Sequence, residues 1–187
     1  MNIVDDNRLK RMLASFSCSY DEDIQNFLHN RAIEFERLLK SRTYLIIDKK
    51  QFQKPGIKLD ELTIYGYISL AVKVFTVPEG TSNRKRQQLD GFSAKEHGEQ
   101  ISNFSCYLIG QLARNSSVPK ESISGVDLLN FAYEIIAISV DAVGGRNILI
   151  ECHNHKKLVR FYLNNGFDTI SKIPDEKQTM VQMIRRI

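Results

Sequence analysis

Cysteine is scarce. Cys18, Cys106 and Cys152 are the three in 187 residues, they stand far apart, and none belongs to a Cys-x-x-Cys pair. Neither a disulfide framework nor a zinc or other metal site is therefore expected, and the usage fits a reducing compartment. Long hydrophobic runs are missing as well. The longest apolar region, residues 131–143, is short and carries Glu134 and Asp141. Residues 1–11 are polar, with no apolar stretch ahead of a small-residue cleavage site. The expectation is a cytoplasmic protein with neither leader nor membrane span. Nor does one charge dominate: 26 Lys and Arg against 22 Asp and Glu leave a formal net charge of +4, which suits an anionic ligand and identifies none. Repeats, low-complexity tracts and linkers are absent.

What is present is a composition of 42% hydrophobic and 26% charged residues, enough at this length for one domain over residues 1–187 with a substantial core. Residues 12–18 read as a strand. Ser19 or Asp21 then caps a helix to about Lys40, whose apolar positions Ile24, Phe27, Leu28, Phe35, Leu38 and Leu39 recur mostly at three- and four-residue spacing. Two runs rich in β-branched and aromatic residues, 43–47 and 64–77, flank the turn signal Lys54-Pro55-Gly56 and read as antiparallel strands. Residues 78–103 turn polar and show no period, so a long loop or flap is expected there, a feature more often functional than neutral. Residues 104–113 form a further strand, and 122–143 a helix that buries Leu128, Leu129, Ala132, Ile135, Ile136 and Val140 and ends at Gly144-Gly145. A strand at 147–152, a helix at 154–165 stopped by Gly166, and strands at 167–173 and 179–184 around Pro174-Asp175 complete the chain. This order predicts an α/β (α+β) fold, a mixed sheet with helices on its faces.

Two stretches carry chemistry. In the first, Lys120-Glu121-Ser122-Ile123-Ser124-Gly125 lies between a strand and a helix, where small residues let backbone N–H groups and a helix N-terminus face an anion; an ordinary helix cap has the same look. In the second, Phe161-Tyr162-x-x-x-Gly166-Phe167 closes a helix and opens a strand. Periodicity puts Phe161 in the core, with Tyr162 at its edge and a hydroxyl that needs water or a partner; taken alone, half-buried packing is the plainer account of it.

With both stretches in view, the sequence resembles the GNAT acetyltransferase superfamily from about residue 12 onward. The resemblance implies a mixed, mostly antiparallel sheet flanked by helices and acetyl-CoA as cosubstrate. On it, Gln111, Leu112 and Ala113 pair with the pantetheine arm, and Lys120, Glu121, Ser122, Ile123, Ser124 and Gly125 take the place of the family's Gln/Arg-x-x-Gly-x-Gly/Ala pyrophosphate loop. Arg114 reaches a CoA phosphate or makes a strand-end ion pair. Tyr162 is the acid facing the CoA sulfur. Two departures stand out: Lys120 and Ile123 replace the Gln/Arg and the first glycine, and His155 replaces an asparagine seven residues before the tyrosine, with Asn154 adjacent. At the other end, Phe16-x-Cys18, Asp23-Ile24, Phe27-Leu28, Thr43-Tyr44-Leu45 and Tyr65-Gly66-Tyr67 resemble the opening of GNAT toxins of type II toxin–antitoxin systems. That narrower resemblance implies aminoacyl-tRNA as the amine substrate, an antitoxin partner and a homodimer.

Acetyl transfer needs a neutral amine, donors for the carbonyl oxygen and a proton for the thiolate. Backbone N–H groups near Leu112 and Ala113 and the Tyr162 hydroxyl are the candidates. Glu151, His153 and His155 lie near the same strand end, but solvated, ion-paired or capping roles account for them better. The basic triplet Arg84-Lys85-Arg86 would meet RNA phosphates or merely be solvated. A catalytically silent acyl-CoA-binding or interaction module is the alternative, and Ile123 is the argument for it.

Overall fold

The computed structural model describes residues 6–174 and 179–187. Residues 1–5 of the polar N-terminal stretch, and Asp175 of the expected last turn, lie outside them. Six strands form one sheet in the order β1-β2-β5-β6-β8-β7: β1 Arg42–Ile47, β2 Ile64–Thr76, β5 Asn103–Arg114, β6 Asn147–His153, β7 Asp168–Ile173 and β8 Met180–Arg186. β3 Lys95–Glu96 and β4 Glu99–Gln100 make a separate hairpin. Pairing is antiparallel for β1–β2, β6–β8 and β7–β8. β5 and β6 run parallel, in register from Tyr107–Ile148 to Ile109–Ile150. The architecture is the expected mixed, mostly antiparallel sheet flanked by helices.

The chain divides into two compact units, Met1–Leu70 with Gln111–Tyr133 and Ala71–Gly110 with Glu134–Ile187. In the first, helix α1 (Asp6–Ala14) replaces the strand expected at 12–18. Leu9, Met12, Leu13 and Phe16 recur at helical spacing and pack inward, a period that the strand reading passed over. Asp21 caps α2 (Glu22–Asn26), accepting from the N–H groups of Asp23 and Ile24. One π-helical turn, Phe27–Arg31, shifts the register before α3 (Ala32–Arg37). The helix then stops, with Leu39 at φ +56°. Leu38 and Leu39, expected inside, are consequently exposed. Short helical turns, α4 (Lys49–Phe52) and Leu59–Glu61, fill the connection between β1 and β2. Phe16 meets Tyr67 edge-on at 5.1 Å, and the Tyr67 hydroxyl donates to Ile24 O at 2.6 Å; burial pushes that phenol up from its ordinary value.

In the second unit, part of the segment expected as loop is helical. α5 (Asn83–Asp90) is capped by Ser82 and ended by Gly91 at φ +89°. Its inward residues are Leu89 and Arg86, and an arginine at a core position is what hides the period. Arg86 satisfies its guanidinium on backbone, donating from Nε to Thr81 O at 3.2 Å and from Nη1 to Ile101 O. Leu89 joins Phe75, Val77, Phe104, Cys106, Leu149 and Ile184 in a second core. α7 (Lys156–Asn164) is where the sequence puts it. α6 (Gly125–Val143), likewise expected, has its first turns in one unit and the rest in the other.

Candidate functional site

The β5 tail belongs to the first unit. Gln111, Leu112 and Arg114 are half-buried and Ala113 is buried. The registered pairing of β5 with β6 stops at Ile109–Ile150, although β5 continues to Arg114 and β6 to His153. Arg114 Nη1 is buried and has no hydrogen-bond partner among the described residues, which calls for an acceptor at that position.

Asn115, which the sequence reading passed over, fixes this tail. It is buried, and its Nδ2 donates to Ile64 O at 2.8 Å while its Oδ1 accepts from Ser17 N–H at 3.2 Å and Ser117 N–H at 2.9 Å. Its own N–H donates to Tyr65 O at 2.8 Å. Close approach near the tail also needs Gly66: a Cβ there would lie 2.9 Å from Ala113 O and 2.8 Å from Leu128 Cδ2.

Lys120–Ser122 is a 3₁₀ turn with exposed side chains, Ile123 is extended and buried, and Ser124 precedes α6. Ser124 and Asp127 form a reciprocal cap. Ser124 donates to Asp127 Oδ2 from its N–H at 2.8 Å and its hydroxyl at 2.7 Å, and Asp127 N–H donates to Ser124 Oγ at 3.1 Å. The Ser124 hydroxyl, then its N–H, hold the Asp127 carboxyl below its ordinary value. A carboxylate thus occupies the helix terminus that the pyrophosphate would share. The pattern Ser-x-x-Asp ahead of an apolar run was the available signal.

Tyr162 and Asn154 belong to the second unit. Gly166, at φ +84°, ends α7 as its N–H donates to Leu163 O at 3.2 Å and that of Phe167 to Tyr162 O at 3.1 Å. This is a Schellman closure, and the accompanying apolar contact is between the rings of Tyr162 and Phe167, 5.6 Å apart. The spacing Tyr-x-x-x-Gly-Phe is therefore a helix stop in its own right. Tyr162 is 6% exposed and Phe161 half-buried, the reverse of the expected core-and-edge arrangement, because the closure draws the tyrosine inward. Asn154 is exposed and its N–H donates to Thr179 O at 3.0 Å; His155 N-caps α7 without a side-chain bond.

Glu151 is an ion-paired residue. Lys73 Nζ donates to its Oε2 at 2.6 Å and Gln182 Nε2 to its Oε1 at 2.7 Å, with Ser171 donating onward to Gln182. Both carboxylate oxygens are engaged, which does not suit a general base. The basic triplet is also largely committed: Arg86 is buried and Lys85 pairs with Asp168 at 3.2 Å, while Arg84 is exposed.

No family model matches the chain, and no curated protein is similar to it. Solved structures are. A bacterial toxin is 17% identical with a TM-score of 0.67, over 94% of this chain and 83% of that one. AtaT complexed with acetyl-methionyl-tRNAfMet is 20% identical with a TM-score of 0.62, over 90% and 85%. AtaTR bound with acetyl-CoA is 21% identical with a TM-score of 0.61, over 91% and 84%. The structural neighbours are GNAT-fold toxins of type II toxin–antitoxin systems, and the fold of this chain is theirs.

Proposed function

We propose that this protein is an acetyl-CoA-dependent N-acetyltransferase whose acceptor is a primary amine, the α-amino group of aminoacyl-tRNA, with an antitoxin as protein partner. The observation that carries the reading is the fold shared with AtaT, whose structures include complexes with acetyl-CoA and with acetyl-methionyl-tRNA. The unsatisfied, buried Nη1 of Arg114 fits an anionic cosubstrate.

Acetyl-CoA supplies the acetyl group as a thioester. A neutral amine attacks the carbonyl carbon, the C–N bond forms as the C–S bond breaks, the nitrogen gives up a proton and the sulfur departs with the electron pair. In this assignment the N–H groups of Leu112 and Ala113 polarise the carbonyl oxygen. Arg114, Lys120 and the N–H groups around Gly125 hold phosphates, and Gln111 and Asn154 line the cosubstrate. Tyr162 Oη donates a hydrogen bond to the leaving sulfur and provides its proton. With Glu151 committed to Lys73 and Gln182, the amine proton leaves through water.

A second reading, a catalytically silent acyl-CoA-binding module, is favoured by the Ser124–Asp127 cap and buried Ile123 at the phosphate loop. Labelled acetyl-CoA offered with separate pools of aminoacyl-tRNA, peptides, polyamines and small amines decides between them. The enzyme labels aminoacyl-tRNA. A protein that is thermally stabilised by acetyl-CoA yet labels no pool is the silent module.

A further inference from the structure

Helix α6 has a side that neither core uses. Its inward residues are Leu128, Leu129, Ala132 and Ile136. The outward side is apolar too: Phe131 is 40% exposed and Ile138 70%, with exposed Ala137 and Ala142 alongside. Phe131 and Ile138 are seven residues apart and so share one side of the helix. Within Lys120–Val143 an 18-residue stretch reaches a mean hydropathy of 1.5, yet only 28% of that stretch is buried. Singly exposed apolar residues are ordinary, but a row of them along one helix marks an interaction surface.

The charges on α6 are all of one sign. Asp127, Glu134 and Asp141 follow each other at seven-residue intervals, and the helix holds no Lys, Arg or His, in a chain whose net charge is +4. Asp127 is engaged by Ser124. Glu134 and Asp141 are exposed and have no ion-pair partner among the described residues. Asp141 stands in the last turn, where the negative end of the helix dipole disfavours a carboxylate and favours a cation.

We propose that the outward face of α6, from Phe131 to Ala142, docks a basic amphipathic helix of a partner protein. Apolar residues of that helix at three- and four-residue spacing would cover Phe131, Ile138 and Ala142, and its flanking Lys or Arg would pair with Glu134 and Asp141 and offset the helix dipole. A second copy of the same face would set carboxylate against carboxylate, and an anionic membrane would repel both. The inference is independent of the acetyltransferase reading, because it uses none of the residues assigned to acetyl transfer.

The test uses the full-length protein and a fluorescent synthetic peptide of about three heptads, Leu at the core positions and Lys beside them, with a scrambled peptide and a Glu-flanked peptide as controls. The Lys peptide should bind at least about tenfold more tightly than the scrambled one, and Ile138→Asn should remove that advantage. The double change Glu134→Lys with Asp141→Lys should transfer the preference to the Glu-flanked peptide. All three side chains are exposed, so the fold tolerates these changes. An unchanged preference after the charge reversal, or wild-type binding by Ile138→Asn, overturns the proposal. So does a dimer of the protein alone, or flotation with phosphatidylglycerol vesicles, that Ile138→Asn abolishes; the face would then belong to a second copy or to a membrane.

Discussion

Replacing Asn115 with Ala should destabilise the first unit far more than its small size implies. The side chain makes three hydrogen bonds, donating to Ile64 O and accepting from the N–H groups of Ser17 and Ser117. Alanine leaves a buried carbonyl and two partly buried N–H groups unsatisfied. Each buried orphan costs about 1–3 kcal/mol, and the partly buried pair recover some of theirs from water, so a total of about 3 kcal/mol is expected. For a chain of this size each kcal/mol is worth about 2–4 °C, giving a fall in Tm of about 6–12 °C. Scanning calorimetry reads it directly. Asn115→Asp adds a second handle. It keeps both acceptor contacts but sets a carboxylate against the Ile64 carbonyl, which raises the folded pKa of the introduced group. Stability is then greatest below the unfolded carboxyl pKa, about 3.9, and lost as pH rises through the folded value, so this variant's deficit shrinks on acidification. A fall in Tm under about 2 °C for Asn115→Ala would refute the reasoning.

Burial pushes the thiols of Cys106 and Cys152 up to about 11, so a thiol reagent near neutral pH should label half-buried Cys18 first and the other two only as the protein unfolds; early labelling of all three would contradict the packing. The Asp127 carboxyl is held low by Ser124, so its cap is intact above the unfolded carboxyl pKa and lost as pH falls through the lower folded value; hydrogen exchange should show the start of α6 fraying only in acid. Asp127→Asn should tighten acetyl-CoA binding severalfold, and Lys120→Glu should weaken it much more than Arg84→Glu does, by calorimetry; equal effects of the latter pair would remove residues 120–125 from the phosphate site. Glu151→Gln should leave acetyl transfer within about twofold, since a larger loss in kcat would return the general-base role to it.

The six strands of the main sheet and the last two long helices were legible because their apolar periods are uninterrupted: β6 is a buried run from Ile148 to Ile150, and α7 ends on the Tyr162 to Phe167 closure. α1 was not, because Met12 to Phe16 is short enough to pass for a strand. α5 was not, because a buried arginine is satisfied only by carbonyls that sequence does not reveal. Within the candidate site, residue types at the tyrosine end were readable and the burial order of Phe161 and Tyr162 was not, since it depends on which way the helix stop turns. The roles of Asn115 and Lys73 rest on contacts with residues 98 and 78 positions away, which no local pattern encodes.

The most direct test of the account is Tyr162→Phe in a single-turnover acetyl-transfer assay alongside acetyl-CoA binding. Phenylalanine keeps the ring that packs on Phe167, so fold and acetyl-CoA affinity should persist. Loss of the proton donor should lower kcat by about 10²-fold or more on any acceptor, with little change in affinity. Wild-type turnover in the variant would make Tyr162 a packing residue of the helix stop and contradict the proposed catalytic centre.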